Sequence, residues 1–297
     1  MKEEVESDGD NRNDINIRRI SIRQKSSAMK MLPNIITIAS FCFGLTAVRF
    51  ALFHKWEMAV ACVLISALLD SFDGRVARMI GHSSQFGAEL DSLSDLVCFG
   101  VAPALLIFLR VLYFMEGLGW GICMFFAICC ALRLARFNAV LILNEEQPAW
   151  MKKYFTGVPA PAGAVIALFP MILYFSTDNL AFLNPFFVSL CALFSGIMMI
   201  SRVKSFSSKM IEFKGGFASP ELVIISLIII CMITTPWVTL SCLTFVYIAL
   251  IPYGAYCYKQ RKIQELALNE QNDQNESAGK SDNVQPQPSQ KDTPKKK

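Results

Sequence analysis

Asp70 and Asp73 stand three residues apart, and Asp91 and Asp95 stand four apart, on either side of a short intervening segment. At those spacings on a helix the members of each pair share a face, and a hairpin between the pairs would bring all four carboxylates together. Converging carboxylates repel and drive protonation unless something positive sits among them. Two divalent cations would neutralise four aspartates, and hard oxygen ligands without His or Cys select Mg²⁺ or Mn²⁺ over zinc. Ala77 follows Asp73 by four, Gly87 precedes Asp91 by four, and Gly74 abuts Asp73. These small residues clear bulk from the carboxylate face and leave room for a phosphate. Arg78, four past Gly74, can reach a phosphate or a carboxylate from the same helix. Helix capping, or pairing with Arg75 and Arg78, would account for two such aspartates but not for four facing inward. Two-metal sites clamp the attacking and leaving oxygens of an in-line phosphoryl displacement, so the expected chemistry is metal-assisted transfer at a phosphate.

The elements that position these residues are membrane spans. The chain has 297 residues, 54% of them apolar and 18% charged, against about 25% charged in an average soluble domain. Residues 2–30 hold seven of the 28 basic residues and residues 259–297 hold eight, which leaves the long middle poor in charge. Such a composition excludes a disordered chain, a collagen-like chain and an ordinary soluble domain. Eight apolar runs, at 33–53, 57–79, 90–114, 118–143, 161–176, 182–200, 219–235 and 238–257, approach the roughly 20 residues a spanning helix needs. They show no period-2 alternation, and backbone groups in lipid must be satisfied internally. The expected class is therefore all-α, a polytopic integral membrane protein of about eight transmembrane helices. The charged residues inside the second, third and fourth runs are the exceptions that carry function, because a charge in mid-membrane costs at least about 2.5–3.5 kcal/mol.

With an even number of spans both tails lie on one side. That side carries Arg18, Arg19, Arg23, Lys25, Lys30, Lys152, Lys153, Arg202, Lys204, Lys209, Lys214, Lys259, Arg261 and Lys262. The other side keeps Arg49, Lys55 and Arg110. Basic flanks stay cytoplasmic, so both termini and the aspartate hairpin are expected in the cytoplasm, with the protein in the cell (inner) membrane. The expected organisation is a polar cytoplasmic tail at 1–30, a transmembrane catalytic domain at 31–258 and a disordered tail at 259–297 rich in Gln, Asn, Ser, Pro and Lys. No secretory signal is expected, since the apolar region begins late and lacks a small-residue cleavage site. The ten cysteines lie in apolar runs without metal spacing and read as small hydrophobes. His54 and His82 fall at span ends without a ligand partner. No nucleic-acid partner is expected.

The string D-x2-D-G-x2-A-R-x8-G-x3-D-x3-D is matched at every fixed position by Asp70, Asp73, Gly74, Ala77, Arg78, Gly87, Asp91 and Asp95. It resembles the signature of the CDP-alcohol phosphotransferases. The resemblance implies a six-helix membrane core that breaks a CDP-linked pyrophosphate, releases CMP and hands the remaining phosphoryl group to an alcohol. On that resemblance Asp70, Asp73 and Asp91 are metal ligands, and Asp95 is the fourth ligand and the base for the acceptor hydroxyl. Gly74, Ala77, Arg78 and Gly87 would wall the CDP moiety. Pro33-Asn34, at the start of the first span, resembles the family's usual opening, with Asn34 at the nucleotide. A homodimer is expected on the same ground.

Downstream, Leu132-Arg133-Leu-Ala-Arg136-Phe137-Asn138 and Phe155-Thr-Gly157-Val-Pro159-Ala-Pro161 resemble stretches of the integral-membrane phosphatidylserine synthases of this family. The implied substrates are CDP-diacylglycerol and L-serine, with Arg133, Arg136 and Asn138 toward the serine. Two guanidiniums at i, i+3 can hold an amino-acid carboxylate bidentately. Glycerol 3-phosphate, inositol or choline remain alternative acceptors. Ser201-Arg202-Val-Lys204-Ser205-Phe206-Ser-Ser-Lys209 loosely resembles a further stretch of these synthases, but positive-inside charge alone explains it. An ion-coupled transporter is the rival from another class. Transporters place intramembrane acids near the midplane of repeated halves, whereas here they gather at one interface without a matching second half.

Overall fold

The computed structural model describes residues 31–80, 85–142, 154–201, 204–206, 220–254 and 260. Both tails therefore lie outside the described residues, as do Lys152, Lys153, Arg202, Lys209 and His82.

Each of the eight apolar runs forms helix. In chain order these are α1 (Met31–Leu52), α2 (Trp56–Ile80), α3 (Gln85–Asp95), α4 (Ala102–Arg110), α5 (Glu116–Ile142), α6 (Ala160–Thr177), α7 (Pro185–Ile200), α8 (Pro220–Thr234) and α9 (Pro236–Gly254). Five helical stretches among the described residues are long and apolar enough to cross a membrane: Met31–Leu52, Phe86–Arg110, Leu112–Ala139, Ala160–Thr177 and Pro236–Gly254. The 25-residue α2 has the length but carries the charges, and α7 and α8 are shorter. The chain is an all-α, multi-pass membrane protein.

The third run departs from a single uniform helix. It comprises α3, one π-helical turn at Leu96–Val101, and α4, and it stops at Val111 before a 3-10 turn at Leu112–Met115. A π turn is a rare insertion in helices and often accompanies a functional residue; this one begins immediately after Asp95. Asn184 caps α7, its side chain accepting from the Phe186 N–H at 2.9 Å with Pro185 following at the first position, a combination favoured at helix starts.

The core lies where α4, α5, α6 and α7 meet. Phe99, Leu106, Phe126, Leu168, Met171 and Ile172 are fully buried there. Small residues let helices approach: a side chain on Gly163 would run into the Met199 thioether, and one on Gly196 would press on Cys129. Ser195 Oγ also donates to the Gly163 carbonyl at 2.6 Å. Membrane helices associate through such close contacts because lipid tails are as apolar as the helix surfaces. The outer face is equally apolar. Val223, Leu227, Ile230 and Ile233 of α8 stand more than half exposed, which suits lipid rather than water.

A two-stranded antiparallel ribbon pairs β1 (Tyr154–Thr156) with β2 (Lys204–Phe206), Phe155 opposite Ser205. These stretches read as turn and loop in the sequence. Gly157 leaves β1 with φ +76°, and a side chain there would meet the carbonyls of Met199 and Ser201 at 2.8 and 2.9 Å. Both the backbone conformation and the space demand glycine.

Candidate active site

The last three turns of α2 and the whole of α3 carry the aspartates, and the described structure brings three of them into one cluster. Carboxylate oxygens of Asp70, Asp91 and Asp95 all lie within 4.8 Å of one another. Asp70 and Asp95 are in hydrogen-bond contact, an arrangement that needs either a proton or a cation between the two groups. All three are half-buried. Asp73 stands beside the cluster, within electrostatic reach of Asp70 and Asp91, and is the most enclosed of the four at 5% exposure.

Asp73 is held from α1. Thr37 Oγ1 donates to its Oδ2 at 2.8 Å, while the same hydroxyl lies 3.1 Å from the Pro33 carbonyl. Thr37 opens a buried polar seam that locks α1 to α2 and α3. Ser40 Oγ donates to the Ser66 carbonyl at 3.0 Å and meets the Ser66 hydroxyl at 2.9 Å, and the Cys98 thiol reaches the Ser40 carbonyl at 3.5 Å. Satisfied polar groups of this kind are costly to bury singly but specify one register when complete. Thr37 did not stand out in the sequence, since nothing local marks a threonine 36 residues before its carboxylate.

Arg133 of α5 turns toward the aspartates. Its guanidinium lies within electrostatic reach of Asp95 and Asp70, and its buried Nε makes no hydrogen bond. Arg136, three residues on, is exposed, so the structure draws one member of the arginine pair to the acids and leaves the other at the surface. Asn138 is half-buried and donates to Ser92 Oγ at 2.9 Å. That bond ties α5 to α3 one residue from Asp91. Asn34 is half-buried on α1, one turn before Thr37. Gly74 is exposed, and a Cβ added there would meet nothing within 4 Å. Gly87 is half-buried on α3. Ala77 and Arg78 lie in α2, but their side chains fall outside the described part of the structure.

Among the described residues the site is thus acid-rich, oxygen-only and half-buried, with one cation, Arg133, turned toward the acids and open space beside Gly74. Carboxylates alone, without His or Cys, form a donor set for a hard divalent cation, and three of them within 4.8 Å can hold one. The sequence model of the CDP-alcohol phosphatidyltransferases matches residues 30–203.

The chain belongs to the CDP-alcohol phosphatidyltransferase family. The matched region takes in α1 to α7, six helical segments once α3, the π turn and α4 are taken as one. A model described as CDP-alcohol phosphatidyltransferase 2 matches residues 218–252, which hold α8 and most of α9. Among curated relatives, a CDP-diacylglycerol–serine O-phosphatidyltransferase of Mycobacterium leprae is 34% identical over 77% of this chain and 75% of its own. One from Helicobacter pylori is 33% identical over 67% of this chain and 82% of its own. One from Methanocaldococcus jannaschii is 36% identical over 58% of this chain and 72% of its own. The chain is a membrane-embedded transferase of this family.

Proposed function

We propose that this enzyme transfers the phosphatidyl group of CDP-diacylglycerol to the hydroxyl of L-serine, giving phosphatidylserine and CMP. The observation that carries the reading is the cluster of Asp70, Asp91 and Asp95 with the Arg133 guanidinium within electrostatic reach of it. Asp70, Asp73, Asp91 and Asp95 would hold two Mg²⁺ or Mn²⁺ ions. Bound there, the ions supply charge neutralisation at the pyrophosphate and at the leaving CMP.

The remaining work falls to the chain's own groups. Asp95 takes the proton of the serine hydroxyl as its oxygen bonds to the diacylglycerol-linked phosphorus, and the bond from that phosphorus to CMP breaks. Arg133 receives the serine carboxylate, offering a charge-assisted donor where no protein acceptor occupies it. Asn138 holds α5 against α3 through Ser92 and so keeps Arg133 and Asp95 in one geometry. Gly74, Gly87, Ala77, Arg78 and Asn34 line the approach of the CDP moiety, and the exposed Arg136 assists at its edge. The relatives named above support serine as acceptor. The basic flanks of the spans support a cytoplasmic active site and cytoplasmic termini in the cell membrane, and membership of the family supports a homodimer.

The test is acceptor competition. Purified protein is given CDP-diacylglycerol with serine, glycerol 3-phosphate, inositol and choline together, and the lipid product is identified. Phosphatidylserine with matching CMP release is expected. A different headgroup, with serine ignored, would leave the chemistry standing and overturn the acceptor.

A further inference from the structure

About 20 Å along α2 from Asp70, at 1.5 Å per residue, Trp56 marks the opposite membrane face. A cavity of about 390 Å³ opens there between the α1–α2 turn and the ends of α4 and α6, a size within the range of small-ligand pockets. Its charged lining is Lys55, Glu57, Arg110 and Asp178. Among the described residues no ion pair joins either cation to either acid.

Arg110 is the fixed point. Its guanidinium lies 5.4 Å from the Trp56 ring centre and 5.5 Å from that of Tyr174, clasped between α2 and α6. The two rings hold it in place without using its hydrogen-bond donors, and its buried Nε has no acceptor. Lys55 and Glu57 are presented by a tight turn in which His54 adopts φ 56° and the Lys55 N–H bonds the Phe50 carbonyl at 2.9 Å. Asp178 ends α6 in the left-handed conformation, φ 52°. Basic residues are scarce on this face: of Arg49, Lys55 and Arg110, two line the one cavity.

We infer that this cavity binds the headgroup of a zwitterionic phospholipid, with its phosphate at Arg110 and Lys55 and its ammonium at Glu57 and Asp178. Equal numbers of unpaired cations and acids suit a ligand carrying both signs, whereas an anionic headgroup would meet two carboxylates. The surroundings place the cavity at headgroup depth, since the exposed rings of Tyr113 and Phe114 follow Arg110 directly and aromatic side chains gather at membrane interfaces. This site is separate from the aspartate cluster and does not depend on the acceptor used there.

Full-length protein in detergent is titrated with short-chain phosphatidylethanolamine, short-chain phosphatidylglycerol, free L-serine and inorganic phosphate, and the thermal midpoint and tryptophan fluorescence are followed. Phosphatidylethanolamine should raise the midpoint saturably, in the wild type and in Asp91→Asn alike, and phosphatidylglycerol should need at least tenfold more. Arg110→Gln should weaken the phosphatidylethanolamine response about tenfold, with Arg110→Lys intermediate. The double variant Glu57→Gln/Asp178→Asn should lose the preference and bind phosphatidylglycerol as well or better. Equal response to both lipids in the wild type, an unchanged preference in the double variant, or a response to serine or phosphate alone that Arg110→Gln removes would each overturn the proposal.

Discussion

The two ends of α2 hold charge in opposite ways. At the Asp70 end, carboxylates of one sign crowd within 4.8 Å, with the Arg133 guanidinium within electrostatic reach. At the Trp56 end, two cations and two acids surround a cavity and leave one another unpaired. A one-signed cluster in a membrane protein persists only where protons or cations offset its repulsion. A mixed one is already neutral and selects its guest by arrangement. On the function proposed above the first end is a place for cations and reaction, and on the inference drawn from the cavity the second is a place for recognition.

The sharpest way to break that contrast is to strip the metal. Excess chelator should abolish CMP release, and Mg²⁺ or Mn²⁺ should restore it, while the phosphatidylethanolamine response at the far end stays intact. If turnover survived chelation, the one-signed end would need another explanation. Next, Asp95→Asn should lower kcat on the order of 10²–10⁴-fold, the range of a positioned proton acceptor, with unchanged helical circular dichroism. Full serine-dependent CMP release from this variant would end the assignment of Asp95 as base.

Arg133→Gln tests whether the guanidinium turned toward the acids serves the acceptor or merely neutralises them. A lost charge-assisted bond corresponds to about 1.5–3 kcal/mol, so the KM for serine should rise roughly 10- to 100-fold with a smaller change in kcat. A fall in kcat with unchanged KM would assign the guanidinium to the carboxylates instead. Thr37→Val removes the donor that holds Asp73 and should destabilise the fold by about 1–3 kcal/mol, read as a lower thermal midpoint, with turnover down several-fold. Gly157→Ala should have the smallest effect on chemistry. Its left-handed backbone costs a side chain roughly 1–2 kcal/mol, and the loss should appear as a lower midpoint while the KM for CDP-diacylglycerol stays constant.

The helices were legible because lipid imposes a simple rule, about 20 apolar residues with internal hydrogen bonds, and each expected run is helical. Asp91 and Asp95 were legible as a pair because i, i+4 spacing sets a common face before any packing is known. The i, i+3 pair divides, Asp70 joining the cluster and Asp73 standing beside it against Thr37. What the sequence hid depends on contacts between distant segments. Thr37 meets Asp73 across the α1–α2 interface, and Ser92 meets Asn138 across 46 residues. The sequence reading set Arg133 and Arg136 side by side at the acceptor, but only Arg133 faces inward, because three residues on a helix is near enough to share a face and far enough to split at its edge. The β1–β2 ribbon escaped notice because three-residue strands carry no period to read. The two acids and two bases at the far end were visible only as scattered span-end residues until α2, α4 and α6 brought them to one cavity.

The π turn at Leu96–Val101 has a consequence for how this helix can change over time. Such a turn amounts to one additional residue in an otherwise α-helical ladder, and one residue corresponds to about 100° of azimuth. The stretch bearing Asp91 and Asp95 is thereby phased independently of the stretch that packs α4 into the bilayer core. A π turn absorbs its extra residue locally, so straightening residues 96–101 into plain α-helix without shortening the chain would swing the two carboxylates away from Asp70 while every apolar contact of α4 stayed in place. The reaction centre and its membrane anchor behave as two gears on one shaft, separated by a slip of one tooth.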